Sequence, residues 1–154
     1  MEACELRRRL VSVLLAAAVA LGLAACGGVI PPSGNPCAGQ PAEHIIGYYE
    51  AQGGDEIPLR CGGGYGYLHL VARGHLVPDA TTFDAEIQAT LLEGTPERQG
   101  PTATKYEVHW QPNCGCGPPN TYGFRVVVDR QILRNDGKYK GIITAQYLDR
   151  PPKP

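Results

Sequence analysis

The stretch Tyr122-Gly123-Phe124-Arg125-Val126-Val127-Val128-Asp129 decides the fold: Tyr122, Phe124, Val126 and Val128 alternate with Gly123, Arg125, Val127 and Asp129. The same period of two runs through Lys105 to Trp110, where Tyr106, Val108 and Trp110 alternate with Lys105, Glu107 and His109. Such alternation marks half-buried strands. Downstream, Ile132-Leu133-Arg134, the turn signal Asn135-Asp136-Gly137 and the run Tyr139 to Leu148 predict a further hairpin. Upstream of Pro101 the period is helical. Thr82 to Gly94 predicts a helix with Thr82 as N-cap, Asp84 and Glu86 in the first turn, Phe83, Ile87 and Leu91 along one stripe, and Gly94 as its stop. Leu68 to Arg73 predicts a short helix with Leu68, Val71 and Ala72 on one face and His69 with Arg73 on another. Ala42 to Gln52 fits a helix or a strand. Helices first and an antiparallel sheet of about four strands after them make an α+β fold rather than a parallel α/β one.

At 154 residues the chain holds one domain. Gly and Pro fill 34 of the 154 positions, just below the roughly 25–30% at which an aperiodic chain reads as low-complexity. Eight of them fall in Gly27 to Pro41, which reads as a flexible tether. The folded part is then residues 42–149, with Arg150 to Pro154 as a polar tail. The net charge of −1 excludes a general polyanion binder, which shows as a strongly basic domain.

The N-terminus carries an address. Arg7, Arg8 and Arg9 precede the apolar run Leu10 to Leu21, the layout of an export signal, and the run is short for a membrane span. It ends Leu23-Ala24-Ala25-Cys26-Gly27, which resembles the lipobox of bacterial lipoproteins. The resemblance implies a signal peptide over residues 1–25, diacylglycerol on Cys26, and attachment to the outer face of a membrane. An ordinary signal peptide cut nearby is the alternative.

With Cys4 in the signal and Cys26 lipidated, Cys37, Cys61, Cys114 and Cys116 remain. Outside the cytoplasm they predict two disulfides. Joining Cys114 to Cys116 closes a strained ring across one glycine, which favours both reaching Cys37 and Cys61. A four-cysteine zinc site is the alternative, without the paired CxxC spacing such sites prefer.

Charge is unevenly distributed. From Cys26 to Tyr122 four basic residues stand against ten acidic ones, and from Gly123 onward seven basic against three. The sheet half is therefore either a solvated hairpin face or a surface for an anionic ligand. No nucleophilic serine motif, phosphate loop, dinucleotide pattern or zinc-protease signature is present. Of the four histidines, His44 and His109 read as surface residues, whereas His69 and His75 bracket Arg73 just after a Gly-rich loop.

Gly66-Tyr67-Leu68-His69-Leu70, the capped helix, the paired strands and the last strand Lys140-Gly141-Ile142-Ile143-Thr144-Ala145-Gln146-Tyr147 resemble small secreted bacterial toxin ribonucleases of the barnase, EndoU, colicin and RelE type, over roughly residues 58–148. The resemblance implies metal-independent RNA cleavage, with no cofactor, and places His69 on the helix and Thr144 on the last strand as catalytic positions, with Arg73 and His75. Cleavage through a 2′-hydroxyl needs a base, an acid and cationic or hydrogen-bonding support at the phosphate. His69 and His75 supply the first two types; Arg73, Arg125 and Lys140 supply the cation, and Thr144 a donor. The alternative function is a non-enzymatic envelope binding or structural module, with Tyr48, Tyr49, Tyr65 and Tyr67 forming a contact surface for an envelope protein partner.

Overall fold

The computed structural model describes residues 28–76, 79–110 and 122–149. It is α+β. A hairpin of β1 (Ile45–Glu50) and β2 (Glu56–Arg60) comes first, then α1 (Tyr67–Ala72) and α2 (Ala80–Glu93). Strands β3 (Thr95–Arg98), β4 (Ala103–Trp110), β5 (Tyr122–Ile132) and β6 (Tyr139–Tyr147) follow. The last four form an antiparallel sheet in chain order β3-β4-β5-β6, and β1 and β2 pair as a separate antiparallel ribbon. The expected order, helices first, is thus preceded by a hairpin that periodicity did not single out.

Residues 45–50 settle as a strand because the turn Gln52 to Asp55, with Gly53 and Gly54 at positive φ, folds Glu56–Arg60 back against them. Tyr48 then pairs with Pro58 and Tyr49 with Ile57. Strand β5 does not stop at Asp129. It runs on to Ile132 through irregularities in its register with β6, and the turn at Asn135 to Gly137 closes with Leu133 and Lys138 hydrogen-bonded across it at 2.9 Å.

The core lies between α2 and one face of the larger sheet. Phe83, Ile87 and Leu91 from α2 meet Phe124, Val126 and Val128 of β5 and Ile142 and Ala145 of β6, all fully buried. Phe83 stands edge-on to Phe124 with ring centroids 5.2 Å apart, and Phe124 is edge-on to Tyr147 at 4.8 Å. These pairs add specific geometry to the area buried. The helix begins two residues before Thr82. Asp79, in extended backbone, is the N-cap, accepting hydrogen bonds from the Thr82 N–H and hydroxyl, both at 2.9 Å. Thr82 therefore donates to the cap instead of being it. Gly94 ends the helix as expected. In α1 the buried residues are Tyr67 and Leu70, while Val71 is exposed, so its inward face differs from the one its pattern predicts.

The ribbon leans on β6. Gly141, at φ 90°, lies against the Pro58 carbonyl, where any Cβ would collide. Only glycine gives β2 and β6 this approach. Between them sits Arg60, fully buried. Its guanidinium donates to the Tyr139 carbonyl at 2.8 and 3.1 Å, to the Glu43 carbonyl, and to the Asp136 carboxylate at 2.8 Å. Each contact belongs to a different turn or strand end, so one buried cation ties the ribbon to the β5–β6 hairpin.

The stretch read as a tether is part of the domain from Val29 onward. Ile30 is buried, and the Asp84 carboxylate accepts from the Val29 N–H at 3.2 Å, the Ile30 N–H at 2.9 Å and the Tyr49 hydroxyl. Burial and the Asp84 charge raise the Tyr49 phenol well above its ordinary pKa. Further on, Cys37 and Cys61 form a disulfide with Cα atoms 5.4 Å apart. This corrects the pairing expected, in which Cys114 and Cys116 reach these two: the segment before β1 already brings Cys37 beside Cys61 at the end of β2. It also removes the four-cysteine zinc alternative, since a disulfide leaves no thiolates to bind metal. Cys26, Cys114, Cys116, the signal over 1–25 and the tail lie outside the described residues.

Candidate functional site

α1 positions the first group of site residues. His69 lies in its middle, Arg73 caps its C-terminal end by donating backbone N–H to the His69 carbonyl, and the chain then turns through Gly74, at φ 66°, to His75. The His75 N–H bonds back to the Leu70 carbonyl at 3.0 Å. This reversal brings the His69 and His75 rings to a centroid separation of 6.2 Å. Both are half-buried and Arg73 is exposed. Burial, then the neighbouring His69 and Arg73, lower the His75 pKa from its ordinary value, favouring the neutral ring.

The other candidates sit elsewhere in the sheet. Thr144 pairs with Val127, which pairs with Lys105, on the face turned away from α2. Arg125 stands in the next row, opposite Glu107 and Gln146, with its guanidinium 3.1 Å from the Glu107 carboxylate. Lys105 bridges Glu107 at 2.6 Å and Glu97 at 2.7 Å, and the hydrogen bonds from Lys105 hold both carboxyls below their ordinary pKa. Lys140 lies 3.5 Å from Asp129 and over the Tyr65 ring, 5.2 Å from its centroid. Among the described residues no hydrogen bond, ion pair or ring contact joins His69, Arg73 or His75 to Thr144, Arg125 or Lys140. The structure brings together the two histidines and the arginine between them, and gives the sheet cations acidic partners of their own.

His44 and His109 are exposed, as expected. The four-tyrosine surface does not form: Tyr49 and Tyr67 are buried, Tyr48 is exposed and Tyr65 half-buried. Tyr48 instead helps to line an open groove of about 310 Å³ with Glu56, Pro58, Ile132, Lys138 and Tyr139. Ile132 is 55% exposed there and Tyr48 37%, and Lys138 lies over the Tyr48 ring while hydrogen-bonding its hydroxyl. Four strands and the β5–β6 turn contribute to it, so no local pattern in the sequence signals the groove. Among the described residues no cluster of three or more His, Cys, Asp or Glu side chains is arranged to hold a metal ion, and no helix is long and apolar enough to cross a membrane.

Set beside known proteins, the chain matches no family model, no curated protein and no solved structure. The reading of its function rests on its own residues.

Proposed function

We propose that the protein is an exported lipoprotein, anchored through Cys26 on the outer face of a membrane, whose domain is a metal-independent ribonuclease of the secreted-toxin type. The observation that carries the enzymatic part is the His69–His75 pair, 6.2 Å apart with the exposed Arg73 between them in sequence. Two imidazoles at this distance can both reach one tetrahedral group placed beside them, and an arginine on the same turn supplies positive charge to it. His75, held toward its neutral form, takes the proton from the ribose 2′-hydroxyl. The 2′-oxygen bonds to phosphorus, the bond to the 5′-oxygen breaks, and His69 delivers a proton to that leaving oxygen. The products are a 2′,3′-cyclic phosphate and a 5′-hydroxyl. Arg73 offsets charge on the phosphoryl oxygens.

The test is cleavage of end-labelled single-stranded RNA by the oxidised protein in excess chelator. Cyclic-phosphate ends are expected, with His69→Ala and His75→Ala each slower by about 10²–10⁴-fold, the usual contribution of a general acid or base. Intact RNA overturns the enzymatic reading, and cleavage by both variants at the rate of the unmodified protein overturns the assignment of the two histidines.

The Tyr48 groove favours a second reading, a binding module of the cell envelope. An exposed tyrosine and isoleucine beside Lys138 and Glu56 resemble the aromatic, partly polar surfaces that proteins use to hold partners. RNA left intact together with a partner lost on Tyr48→Ala and Ile132→Ala would favour it.

A further inference from the structure

The lead segment enters the domain at once. The Asp84 carboxylate holds the Val29 and Ile30 amides at 3.2 and 2.9 Å, and the Ile30 side chain is 2% exposed. Val29 fills the space that Gly47 of β1 leaves: a Cβ at Gly47 would stand 2.7 Å from its Cγ1. Gly28 likewise lies against Asp84, where a side chain would not fit. Cys26 is three residues before Val29. Three extended residues span at most about 11 Å at roughly 3.3–3.6 Å each. A flexible tether over residues 26–41 would instead average about 20–24 Å and let the domain turn freely.

We infer that the domain is moored directly against the lipid surface in one orientation, on a leash of Gly27 and Gly28, with Gly47 of β1 and the Asp84 region of α2 toward the headgroups. The inference rests on lipidation of Cys26. Gly47 and Tyr49 face the lead segment and Asp84, so Tyr48, one residue out of phase on the strand, lies on the opposite face of the ribbon. The groove it lines with Ile132 and Lys138 therefore opens away from the docked lead and stays accessible from solution.

The experiment uses the full-length protein purified from bacterial membranes and reconstituted in a supported bilayer, with neutron reflectometry reading the water gap beneath the protein layer. The unmodified protein is expected to leave a gap below about 10 Å, and insertion of fifteen Gly and Ser residues between Gly27 and Gly28 to open one of about 20 Å. Equal gaps in the two proteins overturn the mooring. Radiolabelled palmitate incorporation, lost in Cys26→Ala, reads the anchor separately, and hydrogen exchange at the Ile30 amide reads the docking. Label with an unprotected Ile30 amide overturns the mooring and leaves the anchor standing. No label with a protected amide overturns the anchor, and the mooring with it, while the docked lead stands.

Discussion

Two groups of charges hold strands together in this protein, in opposite ways. Arg60 is fully buried and donates to two carbonyls and one carboxylate. The ladder Glu97–Lys105–Glu107–Arg125 crosses the outer face of the sheet from β3 to β5, with its members partly in water. In the first, the charge itself is out of water and two of its three partners are backbone carbonyls, so its worth lies in satisfaction and packing. In the second, water competes for each charge, and the Coulomb gain is largely offset by solvation and side-chain entropy. Proximity of opposite charges is therefore a poor measure of what either contributes; burial decides.

The sharpest way to break this contrast is Arg60→Ala. It leaves the Tyr139 and Glu43 carbonyls and Asp136 without their donor and opens a void beneath the ribbon. A loss of about 3–5 kcal/mol in urea unfolding is expected, and a loss below about 1 kcal/mol would place Arg60 with the surface ladder. A smaller, pH-dependent effect belongs to Asp136. The Arg60 hydrogen bond holds its carboxyl below the ordinary value of 3.8. A carboxyl depressed on folding stabilises above its unfolded pKa, and that contribution fades as pH falls through the lower folded value. Asp136→Asn should therefore flatten the fall in stability below about pH 4; an unchanged acid limb would show that Asp136 does not titrate with folding. Smallest is Lys105→Ala, expected within about 1 kcal/mol and shrinking further in molar salt. A larger loss that salt does not touch would make the ladder structural.

The same contrast explains what the sequence disclosed. Strands β4, β5 and β6 were legible because each has one wet and one buried face, which writes a period of two. Strand β3, Thr95–Arg98, was not: it is four residues long, fully exposed and contains Pro96, so nothing alternates. Strand β2, Glu-Ile-Pro-Leu-Arg, was missed because four of its five residues are buried, including an arginine that local chemistry reads as solvent-facing. The His69–His75 pair was legible because its members are close in sequence. The groove was not, since Tyr48, Ile132 and Lys138 meet only through the ribbon's contact with the β5–β6 hairpin. Most instructive is the lead, where Gly and Pro suggested slack chain. Gly28 and Gly47 are instead small because Asp84 and Val29 occupy the space beside them, a demand for close approach that composition does not distinguish from flexibility.

The Cys37–Cys61 bond encloses β1 and the whole of β2, including the exposed turn Gln52 to Gly54 between them. Such an exposed turn is where proteases cut first. A cut there would yield two polypeptides that migrate as one band until a reductant is added, because the cystine bridges the break. With β1 clasped by β2 and Tyr49 bonded to Asp84, the nicked molecule keeps its shape as well as its mass. A protease could sever this chain at the turn without shedding any of it.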